Sequence, residues 1–526
     1  MANIIIPNVF TPATVADANA VNANFTAVAN AINEGLTSYP TFINAVAPPY
    51  GMAVANTPAQ NTTALQAAIW AAITAGGGTV FIPAGTYNMA SAITISGLTG
   101  GIIIQGASAG TKLVVQGNGD LFDVTGNNGT YGGTRFRDLQ LVYASATSGI
   151  AINVQQGGEA TTAEFCEFTN CPQAMALGGA QGGMFGCRVY QNNIANTTQV
   201  TISQPECYVS QCLLLQQPIS TGGPVGCIGI NVQSGADQAW IINNHISDFN
   251  QGVVISGGKF TFITNCAIQS WTNSVYVVPK SGGSANYVFL VGNHLPASGA
   301  TTAQSSGVYI DSNGGPSTNA SGIYGSGNLI YGWGNAGLQV NVAQDVVFNG
   351  GQISSNGLNP SAANLGANVV VSAAALRVSL NGVDMSGTVP IIGAASPYAL
   401  SVFGSGACLA NLCDMTLCST GPLLASSPGS LSLTSCNGYN NIVSIVSTAT
   451  PANGAQITLA SLGHYGPGTM YVSGGTVSAI ELFEVSSFGV PGQVLGITSG
   501  TVVIPNPYTA FSIAWSGSPT VAIIGS

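Results

Sequence analysis

The chain has 526 residues, of which 17 are acidic and 7 are Lys or Arg, so its formal net charge is −10. Charged residues make up 5% of the chain, against about 25% in a typical soluble domain. Seven scattered basic residues cannot neutralise a phosphate track, which excludes nucleic acid as a partner. Apolar residues are 46% of the chain and glycines number 70, a mixture that favours all-β architecture with many tight turns.

The apolar content does not predict membrane insertion. The long charge-free stretch between Asp384 and Asp414 is interrupted by glycine, serine and proline, so it lacks the roughly 18 consecutive apolar residues of a spanning helix. Eleven cysteines spread over a large chain favour reduced, buried thiols in a protein made in a cytoplasm. No nucleotide-binding loop or zinc-protease motif is present, so we predict no cofactor.

The first predicted element is a short helix over residues 14–34. Its apolar residues recur at alternating spacings of three and four, as at the a and d positions of a coiled coil, and they are Ala18, Val21, Phe25, Val28 and Ile32. Two interpretations stay open: a single amphipathic helix lying on its own chain, or a short parallel bundle in an oligomer. We assign residues 1–48 to an N-terminal helical attachment segment and linker.

A second helix is predicted over residues 61–75, capped by Asn61 or Thr62. Its buried stripe consists of Leu65, Ile69, Ala72 and Ile73. Three glycines end the helix, a strand follows, and Pro83 with Gly85 turns the chain. This block resembles the pectate-lyase-like, right-handed β-helix proteins that occur as phage tailspikes and as polysaccharide hydrolases. The resemblance implies that the helix caps the first coil of a solenoid and that the chain serves as a virion appendage.

A repeated strand pattern runs from Leu139 to Asn437. Each repeat begins with a residue that we call the anchor, continues with a mostly polar residue, and then has an apolar one. The anchors are Leu139, Cys166, Cys187, Cys212, Asn244, Cys266, Asn293, Asn328, Gly351, Val383, Cys413 and Cys436. In-out-in alternation predicts strands, and a repeat of 21 to 35 residues predicts a solenoid. We therefore predict a parallel β-helix over residues 49–445.

The same register explains two groups of residues that resemble metal ligands. The cysteines at anchor positions point inward and alternate with asparagines, so we expect packed thiols and no metal site. His245 and His294 point outward, two coils apart, and we expect surface histidines. After Cys436 the pattern fades, and short strands between Gly and Pro turns predict a small antiparallel β domain over residues 446–526.

Two acids are the sharpest catalytic candidates. The register stacks Asp384 over Asp414, between Gln352 and Asn437, and neighbouring coils lie about 4.8 Å apart. Retaining glycoside hydrolases need two carboxyl groups about 5–5.5 Å apart. The alternative is a pair of solvated surface acids. Glu167 is expected to pair with Arg188 on the next coil.

Three aromatic residues lie five positions after an anchor, and these are Phe249, Trp271 and Trp333. Exposed rings at these positions would be platforms for sugars, and those of Phe249 and Trp271 should stack. Rings turned inward would fill a corner of the solenoid. With the amides of Gln352 and Asn437, these rings form the predicted glycan-binding set.

The sequence thus predicts an all-β chain: a right-handed parallel β-helix with a short N-terminal helical segment, a capping helix and a small C-terminal β domain. The predicted function is a tailspike- or tail-fibre-like virion appendage that binds carbohydrate on the bacterial host surface. The predicted partners are bacterial surface polysaccharide and other tail proteins, which bind the N-terminal segment. We expect a homotrimer in the virion, assembled in the host cytoplasm. The alternatives are a polysaccharide depolymerase of the same fold and a purely structural spike or adhesin.

Overall fold

The computed structural model describes residues 19, 21–28, 41–90, 92–126, 133–192, 194–217, 226–280, 283–298, 305–359, 366–387, 395–404, 406–419, 421–426, 430–437, 442–444, 456–458, 468–473, 476–483, 494–495, 500–504, 510–516 and 520–525. The chain forms two compact units, Met1–Arg188 and Val189–Ser526. Residues 21–28 are helical, as the heptad pattern predicts, and most of the remaining predicted helix lies outside the described residues.

The capping helix α1 spans Pro58–Thr74 and begins earlier than the sequence analysis predicts. Thr57 is the N-cap and forms a capping box with Gln60, and proline occupies the first turn, where its missing N–H costs nothing. The predicted cap Asn61 is instead buried inside the helix, where its Oδ1 accepts from Ala53 N (3.0 Å) and its Nδ2 donates to Asn88 O (3.2 Å). Through these two hydrogen bonds Asn61 holds the helix against the first coil.

The first unit is built from short parallel strands. In chain order these are β1 (Phe42–Asn44), β2 (Gly78–Ile82), β3 (Gly85–Met89), β4 (Ile93–Ile95), β5 (Ile102–Gly106), β6 (Thr111–Val115), β7 (Phe122–Val124), β8 (Thr134–Arg137), β9 (Gln140–Tyr143), β10 (Ile150–Val154), β11 (Thr162–Glu164), β12 (Glu167–Thr169), β13 (Gln173–Leu177) and β14 (Gly183–Phe185). They form three parallel faces: β1-β2-β5-β8-β11-β14 is the first, β3-β6-β9-β12 the second and β4-β7-β10-β13 the third.

The second unit repeats this arrangement. After β15 (Arg188–Asn192), its strands up to residue 437 are β16 (Thr198–Ile202), β17 (Tyr208–Ser210), β18 (Leu213–Gln217), β19 (Ile228–Val232), β20 (Trp240–Ile242), β21 (His245–Ile255), β22 (Gly258–Thr264), β23 (Ala267–Val277), β24 (Ala285–Val291), β25 (His294–Pro296), β26 (Ser306–Ile310), β27 (Ala320–Ser326), β28 (Leu329–Tyr331), β29 (Ala336–Val340), β30 (Gln344–Asn349), β31 (Gln352–Ser354), β32 (Ala367–Val371), β33 (Leu376–Asn381), β34 (Tyr398–Phe403), β35 (Ala407–Asn411), β36 (Gly421–Ser426) and β37 (Ser430–Thr434).

The three faces of the second unit are also parallel. The first is β17-β20-β22-β24-β27-β30-β33-β35-β37. The second is β18-β21-β23-β25-β28-β31, and the third is β16-β19-β21-β23-β26-β29-β32-β34-β36. Strands β21 and β23 are long enough to belong to both. This succession of faces is a right-handed parallel β-helix, as the sequence predicts.

The predicted register is confirmed at the second face. Its inward row is fully buried and consists of Leu214, Ile246, Ile268, Leu295, Ile330 and Ile353. Strand pairing joins the first three of these residues to one another and the last three to one another, and the pairing of Ala267 with His294 continues the same register between the two groups. The core of the unit therefore lies behind this row, and the alternate residues of each strand point outward.

The anchors hold the corner between the first and second faces. The residue before each of several anchors is left-handed, with φ of 55° at Asn243 and 52° at Asn265. Such a corner leaves backbone groups outside the ladder, and the buried anchors bond to them: Asn244 Nδ2 donates to Val209 O (2.8 Å) and Cys266 Sγ donates to Ile241 O (3.4 Å). Asparagine and cysteine therefore alternate here because both are small donors.

The C-terminal strands pair antiparallel, as predicted for this part of the chain. They are β38 (Ile442–Ser444), β39 (Gln456–Thr458), β40 (Gly468–Ser473), β41 (Thr476–Phe483), β42 (Val494–Leu495), β43 (Gly500–Ile504), β44 (Ala510–Ser516) and β45 (Thr520–Gly525). Their orders are β38-β45-β40-β43 and β39-β44-β41-β42. The predicted domain limits at residues 48/49 and 445/446 stay predictions. Within the described residues, no helix combines the length and apolar character needed to cross a membrane.

Candidate functional site

The two candidate acids lie on neighbouring coils. Single parallel bridges join Gln352 to Asp384, Asp384 to Asp414, and Asp414 to Asn437. We call these four residues the polar row. Its first three members are half-buried and Asn437 is exposed. The register predicted for all four is thus confirmed, and their catalytic and glycan-binding roles stay predictions.

Both carboxylates of the polar row are tied to their own turns. Asp384 Oδ1 accepts from Ser386 N (2.9 Å), and Asp414 Oδ1 accepts from Thr416 N (3.0 Å). Gln352 Nε2 also donates to Asp384 Oδ2 (3.0 Å). These bonds end each strand locally and position the carboxylates. Among the described residues, none donates a hydrogen bond to Oδ2 of Asp414.

The structure corrects two of the three predicted aromatic platforms. Phe249 and Trp333 are completely buried, so neither can contact a glycan. Trp333 donates from Nε1 to Leu295 O (2.9 Å), which satisfies the indole inside the solenoid. Both rings fill the interior of the solenoid beside the corner. This was the alternative to exposed sugar platforms that the sequence left open. Phe249 lies at the bend inside β21, where the strand register shifts on either side of it, and Trp333 follows β28.

Trp271 is half-buried, and the predicted stacking with Phe249 is wrong in register. Strand pairing places Phe249 opposite Ser270, with a shift on either side. The Trp271 indole N–H is buried and has no hydrogen-bond partner among the described residues. A buried donor without a partner costs about 1–3 kcal/mol. Its glycan-binding role stays a prediction.

A different aromatic row lies on the outer side of the first face. Trp240, Phe262, Phe289 and Tyr324 stand on successive strands, and their neighbouring ring centroids are 6.4, 4.9 and 5.3 Å apart. The planes are inclined by 8° to 18°. Rings stacked in this way cover most of one another, so the row mainly stabilises the parallel sheet.

Two further rings beside that row are exposed. Phe260 and Tyr287 are 40% and 43% exposed, their centroids are 4.9 Å apart and their planes are inclined by 9°. We call them the exposed pair. Both residues are left-handed, with φ of 57° and 59°. Bulky side chains rarely adopt that conformation, and the equivalent corner position on the next coil is Gly322, against which Tyr287 packs.

The sequence contained a signal for the aromatic row. Each of its members lies four residues before an anchor, where the anchors are Asn244, Cys266, Asn293 and Asn328. The positions five residues after the anchors lie instead past the second-face segment of each coil, at or after the bend towards the third face. The exposed pair has a signal of the same kind, since Phe260 and Tyr287 each lie six residues before an anchor, Cys266 and Asn293. Their left-handed backbone, which brings the two rings to the surface, is visible only in the structure.

The two histidines are exposed, as predicted. His245 and His294 flank Ala267 in one outward row. His294 Nε2 shares a hydrogen bond with Tyr331 Oη (2.9 Å). Burial and the neighbouring His245 lower the pKa of His294, so its imidazole is neutral at pH 7 and Tyr331 can donate to it.

The anchor cysteines are free thiols in the interior. Cys166, Cys187, Cys212, Cys266 and Cys413 are buried, and Cys436 is half-buried. Across the part of the chain that the structure describes, no three His, Cys, Asp or Glu side chains come together as a metal site requires. The sulfurs bond to backbone carbonyls instead, for example Cys187 Sγ to Ala163 O (3.2 Å).

No family model matches the chain, and no curated protein matches it. Solved structures of similar fold include the A-module of the mannuronan C-5 epimerase AlgE4 from Azotobacter vinelandii, with 18% identity, 76% of this chain and 95% of that chain covered, and a TM-score of 0.46. Others are the Dettilon tailspike protein (12% identity, 92% and 94% covered, TM-score 0.48) and a double mutant of the tailspike of E. coli bacteriophage HK620 in complex with a pentasaccharide (12%, 93% and 95%, TM-score 0.44).

Proposed function

We propose that the protein is a tailspike- or tail-fibre-like virion appendage that binds carbohydrate on the surface of its bacterial host. The exposed pair carries this proposal. Two parallel rings with about two fifths of each side chain exposed offer flat apolar area to the C–H groups of a sugar.

The backbone at the exposed pair supports a role in binding. Holding a residue in a sparsely populated conformation costs of order 1–3 kcal/mol. The same left-handed corner is occupied by Gln238 on the preceding coil and by Gly322, Asp345 and Arg377 on the following coils, so Phe260 and Tyr287 are its only aromatic occupants in this series. Glycine and aspartate adopt this conformation at lower cost. Aromatic residues at an exposed and strained position gain little from folding, so a ligand is the better explanation of their presence.

The composition is consistent with glycan recognition. The chain has few charges, and a neutral sugar is recognised by hydroxyl and amide hydrogen bonds together with aromatic contacts. Attachment through residues 1–48 and assembly as a homotrimer are parts of the same proposal. They rest on the heptad pattern of the N-terminal helix, of which residues 21–28 are helical.

A depolymerase is the second candidate, favoured by the polar row. Two aspartates on neighbouring coils place their backbones about 4.8 Å apart, close to the separation of a nucleophile and an acid in retaining enzymes. In this mechanism Asp414 is the nucleophile, because its Oδ2 accepts fewer hydrogen bonds than that of Asp384. Asp384 is then the general acid and base. A purely structural spike would use neither the polar row nor the exposed pair.

The test compares glycan binding by three full-length proteins on an array of purified bacterial capsular and O-antigen polysaccharides. The wild type should bind a subset, and Phe260→Asn/Tyr287→Asn should bind it roughly ten- to hundredfold more weakly. Asparagine tolerates the left-handed backbone. The control is Leu412→Asn, because Leu412 is also left-handed (φ 54°) and 64% exposed. Binding that survives in the double variant would overturn the assignment, and a wild type that binds no glycan would overturn the function.

A further inference from the structure

The first unit contains a pocket that the proposed function does not use. It has a volume of about 270 Å³ and is lined by Ser108, Leu139, Phe165, Cys166, Glu167, Gly186 and Arg188. Typical pockets for drug-sized ligands measure about 300–1,000 Å³, so this one has room for a single sugar ring. It lies at the corner between the first and second faces, where Phe165 follows β11 and Glu167 begins β12.

Phe165 forms an aromatic wall of the pocket. Its side chain is 49% exposed and its φ is 53°, so a bulky residue again occupies a left-handed corner. Gly186 follows on the next coil, and a Cβ there would come within 2.7 Å of the Phe165 ring. The ring can therefore lie across the corner because residue 186 has no side chain. Arg137 lies over the same ring, with its guanidinium carbon 5.9 Å from the centroid.

The charged side chains in and beside the pocket differ in how many hydrogen-bond and ion-pair partners they have. Glu167 Oε1 accepts from Gln140 Nε2 (2.6 Å) and from Thr169 Oγ1 (3.4 Å), which leaves Oε2 for a ligand. Arg137 pairs with Asp138 (3.5 Å). Arg188 is exposed and forms no ion pair with any described residue, so the predicted Glu167–Arg188 pair is wrong. Its backbone N–H donates to Cys166 O (2.9 Å), which fixes it on the coil beside Glu167.

We propose that this pocket binds a carboxylated sugar unit, a hexuronic acid of an anionic glycan. Arg188 pairs with the sugar carboxylate, Phe165 contacts a C–H face of the ring, and Glu167 Oε2 accepts from a hydroxyl. An unpaired guanidinium matches a carboxylate with two parallel hydrogen bonds. The chain as a whole has a net charge of −10, which disfavours the approach of an anion. The unpaired Arg188 in this concave site nevertheless attracts an anion locally.

This inference deepens the proposed function by naming a class of sugar, and it rests on that function for its biological meaning. The experiment is saturation-transfer NMR on the full-length protein with methyl glucuronide and methyl glucoside, and with the corresponding galacto pair. The wild type should bind an acidic sugar and not its neutral counterpart. Arg188→Gln and Phe165→Asn should each weaken that binding roughly tenfold or more, and Arg188→Lys should weaken it less.

The matched control is Arg377→Gln, which removes one exposed arginine from the second unit. Arg377 pairs with Asp345 and is not among the residues that line the pocket, so its removal should leave sugar binding unchanged. Equal binding of acidic and neutral sugars, binding that survives Arg188→Gln, or no binding of an acidic sugar would overturn the inference. If acidic sugars do not bind while polysaccharide binding is lost in Phe260→Asn/Tyr287→Asn, the inference alone fails. If they bind and no polysaccharide does, the proposed function fails instead.

Discussion

Asn293 and Cys266 lie on neighbouring coils and are joined by a hydrogen bond in which Cys266 N donates to Asn293 Oδ1 (2.9 Å). Asn293 Nδ2 in turn donates to Ile263 O (2.8 Å). The buried side-chain amide of Asn293 thus pairs with one backbone N–H and one backbone carbonyl that have no partner in the strand ladder at the corner. Asn328 continues the series by accepting from Asn293 N (3.0 Å). The corner of the β-helix is therefore held by a chain of side chains as well as by the sheet.

We expect Asn293→Ala to destabilise the protein, because it leaves Cys266 N and Ile263 O buried without partners. Each buried polar group left unpaired costs about 1–3 kcal/mol. Asn293→Cys should cost less, since a thiol can donate to Ile263 O as Cys266 Sγ does to Ile241 O. Denaturant unfolding measures both. Equal stability of the alanine variant and the wild type would show that water replaces the amide.

Cys436 should be the most reactive cysteine of the native protein at pH 7. A hydrogen bond from the Cys413 thiol lowers the pKa of Cys436 to about 6, and Cys436 is half-buried while most of the others are buried. Burial raises the pKa of Cys408 to about 12, so its thiolate is scarce. Native alkylation followed by peptide mass spectrometry should modify Cys436 first.

The alkylation rate of Cys436 should rise with pH through about 6 and then level off, because the thiolate is the nucleophile. Cys413→Ala removes the donor and should move that midpoint upward. Fast labelling of Cys266 in the native state would contradict its burial. An unchanged midpoint in the Cys413 variant would show that the thiol pair is not coupled.

The catalytic role of the polar row is tested by Asp384→Asn/Asp414→Asn. If the pair cleaves a glycan, turnover should fall by orders of magnitude while binding is retained, because the acids act in the transition state. Release of new reducing ends from a bound polysaccharide measures turnover, and glycan binding on the array is the matched readout. Full cleavage in the double variant would eliminate these acids as the catalytic pair.

Tyr287→Asn should leave stability nearly unchanged although it removes an aromatic stack. Loss of the contact with Phe260 costs about 0.5–1.5 kcal/mol, whereas relief of a left-handed bulky residue returns roughly 1–2 kcal/mol. The two effects oppose each other. Thermal unfolding of the wild type and the variant measures the difference. A strong loss of stability would mean that the exposed pair supports the fold, which would weaken its assignment to binding.

The sequence alone predicted more of the polar row than of the aromatic surfaces. Gln352, Asp384, Asp414 and Asn437 were placed by counting from the anchors, and the bridges join them in that order. The same counting failed for Phe249, which lies at the register shift inside β21, and for Trp333, which follows β28. Register extends along a strand with period two, and it is lost where the chain bends into the interior.

The sequence by itself determined the parallel coils, the inward row and the anchors, because burial on one face of every coil leaves an alternating pattern and a small Asn or Cys donor at most corners. The tertiary structure decided which outward residues meet. Phe260 and Tyr287 stack, and Phe165 lies beside Glu167 and Arg188, because left-handed corners aim these side chains from separate coils. The exposure of a side chain at such a corner depends on the residue at the same position of the next coil, as Gly186 shows for Phe165. That residue lies 20 to 35 positions away along the chain.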